Sequence, residues 1–300
     1  MSEWIKDLTD RLGKRAEPDA PLAPLTTFAI GGPAQLLVHV ESILELLWIK
    51  DLCRQYEVPL RILGGGSNVL VPDQGLPGLT VLLEGELAEL HLDTSSGKVK
   101  AGAGLSMSRL AAKCADAGLS GLEWASGLPG SVGGAVVGNA GAFAGRVSDS
   151  LVSVRLLERS GRVSETPAQK LGFDYRASSI PASGAFVLVA TFTLAPGDPE
   201  LIRSRCDEVR RKRRDSQPLG QRSAGSVFKN PPNDAAGRLL DAASCKGLRV
   251  GDALVSPTHA NFIVNAGHAS AADVKSLIAQ MQSRVRAQFN VSLTPEIIIL

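Results

Sequence analysis

Short apolar runs recur along the chain, and they predict β-strands. Branched and aliphatic residues dominate each run, and such residues suit the pleated, half-buried surface of a sheet. From residue 34 onward the predicted order is a strand, a helix and a second strand before a glycine-rich turn. The predicted strands are 34–40 (AQLLVHV), 59–63 (PLRIL), 78–85 (GLTVLLEG), 98–104 (KVKAGAG), 151–158 (LVSVRLLE), 185–194 (AFVLVATFTL) and 295–300 (PEIIIL).

Apolar residues at helical spacing predict helices on either side of these strands. The predicted helices are 1–15, 41–58, 106–118, 199–215 and a last one that begins at Ser270. The apolar stripe expected on helix 41–58 consists of Ile43, Leu44, Leu47, Trp48 and Leu52. The stripe expected on the last helix consists of Val274, Leu277, Ile278, Met281 and Val285.

Capping signals support three of these helices. Ser106 precedes the third predicted helix, and Gly118 stops it. Asp198 can cap the fourth, with a proline in its first turn. Ser270 and Asp273 have the spacing of a capping box at the start of the last helix.

Two changes in residue composition divide the chain. A polar, proline-rich segment at 16–28 is expected to separate the first helix from the body, and a domain boundary is predicted near 195–199. The N-terminal stretch has no long apolar core and no small-residue cleavage site, so it is typical of an amphipathic helix rather than a signal peptide. No apolar run reaches membrane-spanning length, so no membrane is expected as a partner.

Bulk composition narrows the class of protein. A chain of 300 residues with a net charge of +2 is expected to hold two or three domains, and nothing in it favours nucleic acid as the main partner. The four histidines show no metal-ligand spacing, so no metal site is expected. The four cysteines lie far apart and form no C-x-x-C pair, which indicates reduced thiols in a cytoplasmic protein. They are Cys53, Cys114, Cys206 and Cys245.

Two glycine-rich segments are candidates for phosphate binding. They are 64–68 (GGGSN) and 127–145 (GLPGSVGGAVVGNAGAFAG), and neither is a complete dinucleotide fingerprint or P-loop. Glycines lack a Cβ, so backbone N–H groups can close on phosphate oxygens, and Ser67 and Asn68 add side-chain donors. Each segment alone is also compatible with a tight turn between strands. Both together favour a cradle for a diphosphate-bearing cofactor.

Three polar residues on separate segments are candidates for chemistry. Arg176, in FDYRASSIP, is either a surface residue or a residue whose fixed guanidinium binds a carboxylate through two parallel hydrogen bonds. Ser226, in SAGSVFKNP, is either a turn serine or a reactive hydroxyl, and no hydrolase elbow surrounds it. Glu296 opens an apolar run and either reaches solvent or lies in a site, because burial without a partner would cost several kcal/mol.

Weaker candidates lie near these three residues. The basic run VRRKRRD can be a nucleic-acid patch, but a solvated helix end with a few cations facing an anionic ligand is favoured. His259 and Asn261 precede an apolar run, and they either line a site or belong to the core. Lys229 and Asn230 offer anion and amide contacts if Ser226 is in the site.

The motifs together resemble one family, the flavoenzyme UDP-N-acetylenolpyruvoylglucosamine reductases (MurB). The resemblance runs from TTFAIGGPA onward and covers nearly the whole chain. The motifs follow in the family's order: TTFAIGGPA, LGGGSNVLV, GLPGSVGGAVVGNAGA, FDYRASS, RRDSQP, SAGSVFKNP, GRLLDAASCKG, HANFIVN and LTPEIII.

This resemblance implies an α+β fold with a two-subdomain FAD-binding region of the vanillyl-alcohol-oxidase (PCMH) type and a C-terminal α+β substrate domain. The implied boundaries are 1–21 for the N-terminal helix and linker, 22–196 for the FAD-binding domain, with subdomains of about 22–73 and 74–196, and 197–300 for the substrate domain. Non-covalent FAD is implied as the cofactor. The implied FAD-binding residues are Gly64, Gly65, Gly66, Ser67, Asn68, Gly127, Pro129, Gly130, Ser131, Gly133, Gly134, Asn139 and Gly141.

The reaction that the resemblance implies is reduction of the enolpyruvyl ether of UDP-N-acetylglucosamine to UDP-N-acetylmuramate, in peptidoglycan precursor synthesis, with NADPH as hydride donor. Negative charge then builds next to the carbon that receives hydride. The implied roles are that Arg176 holds and polarises the carboxylate, Glu296 stabilises the same charge, and Ser226 delivers the proton.

The chain departs from part of the family. It lacks the room for a tyrosine-bearing loop after the YR motif, so it resembles the shorter type, and the residues that bind UDP are less defined. The candidates for substrate contact are Lys229, Asn230, Arg213, Arg214, Tyr175 and His259. Two alternatives are another flavin oxidase or dehydrogenase on the same fold and a non-catalytic nucleotide-binding module. A monomer is compatible with the sequence.

Overall fold

The computed structural model describes residues 2–300; Met1, on which the first predicted helix begins, lies outside the described residues. Eight α-helices form over residues 2–300, and all five predicted helices are among them. The helices are α1 (Glu3–Leu12), α2 (Ile43–Gln55), α3 (Met107–Asp116), α4 (Val132–Val137), α5 (Ile180–Ser183), α6 (Pro199–Ser216), α7 (Ala236–Ala242) and α8 (Ala271–Phe289).

Eighteen strands form over the same residues, many of them short. They are β1 (Ala16–Pro21), β2 (Pro33–Val40), β3 (Leu60–Ile62), β4 (Val69–Leu70), β5 (Leu76–Leu83), β6 (Leu90–Asp93), β7 (Lys98–Gly102), β8 (Leu119–Ser120), β9 (Gly141–Ala142), β10 (Gly145–Arg146), β11 (Leu151–Leu157), β12 (Val163–Pro167), β13 (Phe186–Thr193), β14 (Ala195–Pro196), β15 (Arg249–Val250), β16 (Ala253–Val255), β17 (Ile263–Asn265) and β18 (Ile298–Ile299).

The chain divides into two compact units that are not contiguous in sequence. The first unit comprises the chain up to Pro18, Leu36–Gly65 and Gly78–Lys212. The second comprises Asp19–Gln35, Gly66–Pro77 and Arg213–Leu300. This division differs from the predicted boundaries at 21, 73 and 196. Two early segments belong with the C-terminal part of the chain, because their contacts are with residues distant in sequence.

A four-stranded sheet and α2 account for the start of the first unit. The strand order is β1-β2-β5-β3, so β5 lies between the two strands that flank α2 in sequence. The Ser42 hydroxyl caps α2 by accepting a hydrogen bond from Glu45 N. The prediction that the proline-rich segment separates the first helix from the body is therefore wrong in part. Strand β1 lies within this segment and pairs into the sheet. Its residue Ala16 belongs to the core of the unit.

The apolar stripe predicted on α2 is also wrong in part. Leu46, Ile49, Leu52 and Cys53 are buried, whereas Leu44 is 78% exposed. Apolar residues lie on more than one side of this helix, and the side that is buried is chosen by its packing partners rather than by spacing.

A five-stranded antiparallel sheet forms the rest of the first unit, with the order β12-β11-β13-β7-β6. Its centre is fully buried: Val154 pairs with Ala190, and Ala190 pairs with Ala101. Helix α4, in the second glycine-rich segment, contacts β13 and β7. Gly133 allows this approach, because a Cβ there would lie 2.9 Å from the Ala103 Cβ. The sheet therefore holds the glycine-rich segment in place.

The second unit is built around α8 and a three-stranded antiparallel sheet of order β15-β16-β17. Helix α8 contacts α7, β15 and β16. Its predicted apolar stripe is confirmed, since all five residues are buried. The predicted capping box is also confirmed, with Ser270 and Asp273 exchanging hydrogen bonds. The predicted C-terminal strand shortens to β18, which pairs in parallel with β4.

Two further properties concern the whole described chain. No helix in residues 2–300 combines the length and the apolar content needed to cross a membrane. The four cysteines are buried and unpaired. Burial raises the pKa of Cys53 to about 11 and that of Cys114 to about 12, so these thiols stay protonated at neutral pH.

Asp73 provides a second cap for α8 and generates a stability prediction. Its carboxylate accepts hydrogen bonds from Ala271 N at 2.7 Å and Ala272 N at 3.1 Å. Asp73→Ala is expected to lower the free energy of unfolding by roughly 0.5–2 kcal/mol, because two N–H groups at the start of a helix lose their acceptor. Urea denaturation followed by circular dichroism measures the change. Asp10→Ala, at an exposed position of α1, is the control, and an equal loss in both variants contradicts this capping role.

Candidate active site

The two glycine-rich segments meet within the first unit. A Cβ on Gly64 would lie 2.5 Å from the Ser131 Oγ, and a Cβ on Gly65 would lie 2.7 Å from the Gly130 Cα. Real side chains do not tolerate such distances, so only glycine permits this approach. The structure therefore brings together residues that lie more than sixty positions apart in the sequence.

Unused backbone donors collect where these segments meet. No acceptor within residues 2–300 receives the N–H groups of Gly64 and Gly65. The N–H groups of Gly130 and Ser131 likewise have no acceptor in the described part of the chain. The Ser131 hydroxyl is used within the protein, where it accepts from Gly134 N at 3.2 Å. Adjacent free N–H donors form a site for anionic oxygens, so these residues fit the diphosphate of a dinucleotide.

Asn139 has an internal role in the same region. Its side chain is buried, and its Nδ2 donates to Asp174 O at 3.0 Å while its Oδ1 accepts from Ser148 N at 3.2 Å. Its φ of +40° is in the left-handed region, which asparagine tolerates better than most residues. The side chain of this predicted cofactor residue thus connects two loops of the protein.

The remaining predicted glycines of this segment differ in their surroundings. Gly127 has a φ of +72°, which suits a glycine turn. A Cβ on Gly141 would lie 2.8 Å from Gly145 O in the hairpin of β9 and β10. Gly134 and Pro129 are exposed. Tight packing therefore explains part of the glycine content of the segment, while Gly130 and Ser131 retain free donors.

Arg176 lies at the tip of a tight turn in the first unit. Asp174 and Ala177 exchange backbone hydrogen bonds of 3.1 and 3.2 Å, which leaves Tyr175 and Arg176 as the two turn residues. Arg176 has a φ of +54°, a conformation that costs a non-glycine residue about 1–3 kcal/mol. Its guanidinium carbon lies 5.4 Å from the centre of the Tyr175 ring. Arg176 is half-buried and Tyr175 is exposed.

The end of the first glycine turn belongs to the second unit. A Cβ on Gly66 would lie 2.1 Å from Leu25 O, and Gly66 O accepts a hydrogen bond from Thr27 N at 3.1 Å. Ser67 follows, and its carbonyl oxygen is the nearest atom, at 3.9 Å, to a Cβ built on Gly225. This contact places the predicted cofactor turn beside the segment that carries Ser226.

Ser226 and Glu296 lie on adjacent backbone segments of the second unit. Val227, next to Ser226, accepts a hydrogen bond from Glu296 N at 2.8 Å. Asn68 joins the same group, because its Nδ2 donates to Glu296 O at 3.1 Å and its carbonyl accepts from Ile298 N at 3.0 Å. Ser226 and Glu296 are both half-buried. The structure thus brings together three predicted site residues that are widely separated in sequence.

A buried asparagine holds the Ser226 segment from its other side. Asn261 Nδ2 donates to Phe228 O at 2.8 Å, and its Oδ1 accepts from Phe228 N at 3.0 Å. Its backbone oxygen also accepts from Val227 N at 2.8 Å. The sequence left open whether Asn261 lines a site or belongs to the core. Its supporting role was missed, because an asparagine before an apolar run gives no signal of its partner.

His259 also has an internal partner. Its Nδ1 accepts a hydrogen bond from Asn261 N at 3.1 Å, and its ring meets the Phe262 ring edge-on with centroids 5.0 Å apart. Burial lowers the pKa of this imidazole, and the charge of Lys246 lowers it further. The folded protein therefore favours the neutral ring, with the proton on Nε2.

The other predicted substrate contacts differ in exposure. Arg213 is buried, and burial lowers the pKa of its guanidinium, whereas Arg214 is exposed. Lys229 is half-buried and its N–H donates to Thr294 O at 2.9 Å. Asn230 uses its Oδ1 to accept from Ala236 N at 3.0 Å, at the start of α7. Their roles toward a substrate stay predictions.

Comparisons with known proteins agree with this arrangement. Residues 34–167 match the family model of an FAD binding domain. Residues 217–300 match the model described as UDP-N-acetylenolpyruvoylglucosamine reductase, C-terminal domain. The chain is 45% identical to UDP-N-acetylenolpyruvoylglucosamine reductase of Parasynechococcus marenigrum (strain WH8102), with 97% of each chain covered.

Solved structures confirm the predicted fold class. The crystal structure of UDP-N-acetylenolpyruvylglucosamine reductase (MurB) from Thermus caldophilus has a TM-score of 0.82 and 41% sequence identity, and the match covers 95% of this chain and 98% of that chain. A structure of alkyldihydroxyacetonephosphate synthase has a TM-score of 0.50 at 17% identity, covering 65% of this chain and 40% of that chain. The second match shows likeness of fold alone.

The environment of His259 generates a prediction about pH. Because the pKa of the folded state is lowered, the neutral ring contributes stability above about pH 6.5, the ordinary value, and this contribution is lost as pH falls through the folded-state pKa. His259→Asn keeps an oxygen that can accept from Asn261 N but cannot take up a proton. We expect its stability to fall less between about pH 7.5 and about pH 5.5 than that of the parent protein.

Thermal unfolding at several pH values measures this difference. His91→Asn is the matched control, because His91 is exposed on β6. If the slope of stability against pH is the same in His259→Asn as in the parent protein, His259 takes up no proton on unfolding and the prediction is wrong.

Proposed function

Because the chain belongs to the UDP-N-acetylenolpyruvoylglucosamine reductase family, we propose that it reduces the enolpyruvyl ether of UDP-N-acetylglucosamine to UDP-N-acetylmuramate, a step of peptidoglycan precursor synthesis. It is an oxidoreductase that uses FAD. The chemistry that bound FAD supplies is hydride transfer, from NADPH to the vinyl methylene carbon of the substrate. A cytoplasmic location stays a prediction from the unpaired cysteines.

One observation carries the proposal. The Ser226 and Glu296 segments are joined by the hydrogen bond from Glu296 N to Val227 O, and Asn68 of the predicted cofactor turn donates to Glu296 O. A proton donor, a carboxyl group and a cofactor turn in one place are the parts that reduction of a polarised double bond needs.

We propose that Gly64, Gly65, Gly130 and Ser131 hold the diphosphate of FAD through backbone N–H groups. These N–H groups have no acceptor within residues 2–300, and the three glycines carry no Cβ that could block an anion. Backbone donors on a fixed turn bind an anion without losing side-chain entropy, which favours tight binding of the cofactor.

Arg176 is proposed to bind the substrate carboxylate. Hydride addition to the methylene carbon leaves negative charge on the adjacent carbon, and the carboxylate shares this charge. A guanidinium presents two parallel donors to a carboxylate and keeps its positive charge at every physiological pH. The strained turn supports this role, since a strained arginine is retained where its placement has a function.

Glu296 is proposed to help stabilise the same charge through its carboxyl group. Two hydrogen bonds fix the backbone of Glu296: its N–H donates to Val227 O, and its C=O accepts from Asn68 Nδ2. A donor already in place where charge develops is worth about 3–4 kcal/mol in a water-excluded site, because it needs no reorganisation during the reaction.

Ser226 is proposed to deliver the proton to the carbanionic carbon. The preceding Gly225 has a φ of +78°, a conformation that glycine adopts without strain, and Ser226 itself is half-buried. A serine hydroxyl is a weak acid, and the high basicity of the enolate makes the transfer favourable.

Substrate contacts are proposed for Lys229, Asn230, Arg213, Arg214, Tyr175 and His259. The structure gives Asn230 and His259 partners inside the protein. For His259 the proposed contact is through Nε2, because its Nδ1 accepts the hydrogen bond from Asn261 N. Exposed Arg214 suits a diphosphate, whose charge it would neutralise.

Ser226→Ala tests the proton-donor role. Reduction of the flavin by NADPH is expected to stay within about twofold of the parent rate, whereas reoxidation by the enolpyruvyl substrate is expected to fall by about 10²–10⁴-fold, because only the second half-reaction needs the proton. Anaerobic stopped-flow absorbance measures both steps. Ser283→Ala, at an exposed position of α8, is the matched control. Equal losses in both half-reactions would argue against this role.

Gly65→Ala tests the cofactor cradle. The added Cβ would lie 2.7 Å from the Gly130 Cα, so the two glycine turns must separate. We expect purified Gly65→Ala to carry much less flavin per protein than the parent, as measured by visible absorbance. Gly138→Ala is the control, because its Cβ would meet only Gly134 O, at an ordinary 3.5 Å. Full flavin content in Gly65→Ala would contradict the proposed cradle.

A further inference from the structure

Arg176 lies in a loop that two side chains attach to the glycine-rich segment. We call residues 174–178 the arginine loop. At its start, Asp174 O accepts a hydrogen bond from Asn139 Nδ2 at 3.0 Å. At its end, the Ser178 hydroxyl donates to Val137 O at 2.7 Å. Val137 is the last residue of α4, and Asn139 follows it closely. Both ends of the loop are thus tied to the same short piece of backbone.

The loop between these two bonds is strained. Arg176 has a φ of +54°, and Asn139 itself has a φ of +40°. Left-handed backbone at such residues persists only where the surrounding structure holds it. Inside the loop, Asp174 and Ala177 exchange backbone hydrogen bonds, and Asp174 Oδ1 accepts from Tyr175 N at 2.7 Å. These local bonds shape the turn, but they do not fix its position on the unit.

The backbone that receives the loop is rigid. Helix α4 contacts β13 and β7 of the five-stranded sheet, and Gly133 N donates to Ala103 O at 2.8 Å. Asn139 Oδ1 accepts from Ser148 N, which fixes the orientation of its amide so that Nδ2 faces Asp174 O. The two bonds therefore connect the arginine loop to a part of the protein that the sheet holds in place.

We propose that Ser178 and Asn139 are positioning residues, which fix Arg176 relative to the glycine-rich segment by holding the two ends of its loop. Neither residue needs to touch the substrate for this role. The inference rests on the proposed function for the consequence in catalysis, because it assumes that Arg176 binds the carboxylate. The attachment of the loop itself does not depend on that assumption.

Ser178→Ala tests the proposal by removing one bond. Flavin content and reduction by NADPH are expected to stay within about twofold of the parent, and reoxidation by the enolpyruvyl substrate to slow about tenfold, because a misplaced guanidinium loses most of its advantage. Ser178→Thr keeps the hydroxyl donor and is expected to restore most of the rate. Ser179→Ala is the matched control, since the Ser179 hydroxyl makes no hydrogen bond within residues 2–300.

A double-mutant cycle identifies the route of the effect. If Ser178 acts through Arg176, Ser178→Ala is expected to change the reoxidation rate by less than about twofold in an Arg176→Ala background. The same tenfold loss in both backgrounds would overturn the proposal, because the serine would then act independently of the arginine.

Amide hydrogen exchange measures the attachment without reference to catalysis. The N–H groups of Asp174 and Ala177 are expected to exchange faster in Ser178→Ala, and also in Asn139→Asp, which keeps an acceptor for Ser148 N but loses the donor to Asp174 O. Unchanged exchange in both variants would overturn the proposal.

The two measurements separate two kinds of failure. If Arg176→Ala leaves reoxidation unchanged while exchange rises in Ser178→Ala, the proposed role of Arg176 fails and the attachment of the loop stands. If Arg176→Ala slows reoxidation but Ser178→Ala changes neither exchange nor rate, the positioning inference fails and the proposed function stands.

Discussion

Hydrogen bonds from asparagine side chains to backbone are the interaction on which the candidate site depends. The functional candidates lie on short, irregular segments that cannot satisfy their own backbone polar groups as a helix or a sheet does. Asn261 pairs with both N–H and C=O of Phe228, Asn68 donates to Glu296 O, and Asn139 donates to Asp174 O. An asparagine amide carries a donor and an acceptor at fixed spacing, so one side chain replaces a missing strand neighbour. Loss of such a bond leaves a polar group unpaired, at a cost of about 1–3 kcal/mol where it is buried.

A second constraint, the absence of Cβ atoms, works with the first. Gly64 and Gly65 approach Gly130 and Ser131 so closely that no other residue fits there, and Gly133 lets α4 rest against Ala103. The close approach leaves backbone N–H groups of both turns without acceptors in residues 2–300. Free donors that are held by packing bind an anion without first changing conformation. Gly133 thus lets α4 approach the sheet, and Gly64, Gly65 and Gly130 belong to the proposed cradle.

Rigidity also explains how Arg176 keeps its left-handed backbone. Stabilising a charge that exists only during a reaction requires donors that are already oriented, because reorientation during the step costs much of the benefit. Arg176, in a two-residue turn whose ends are bonded to Asn139 and Val137, is the side chain proposed for this role. His259, which is also proposed for substrate contact, is held by burial and by its hydrogen bond to Asn261.

The sequence by itself determined the features that depend on near neighbours. Ser106 and the pair Ser270 and Asp273 cap the helices where predicted, the stripe of α8 is buried, and the order of motifs identified the family. Capping and helical spacing act within a few residues, so they can be read from the chain directly. Only the tertiary structure decided which side of α2 is buried, that β5 separates β2 from β3, and that Asn68 bonds to Glu296, 228 residues away. These features depend on which distant segments meet when the core closes, and no local pattern of residues specifies that partner.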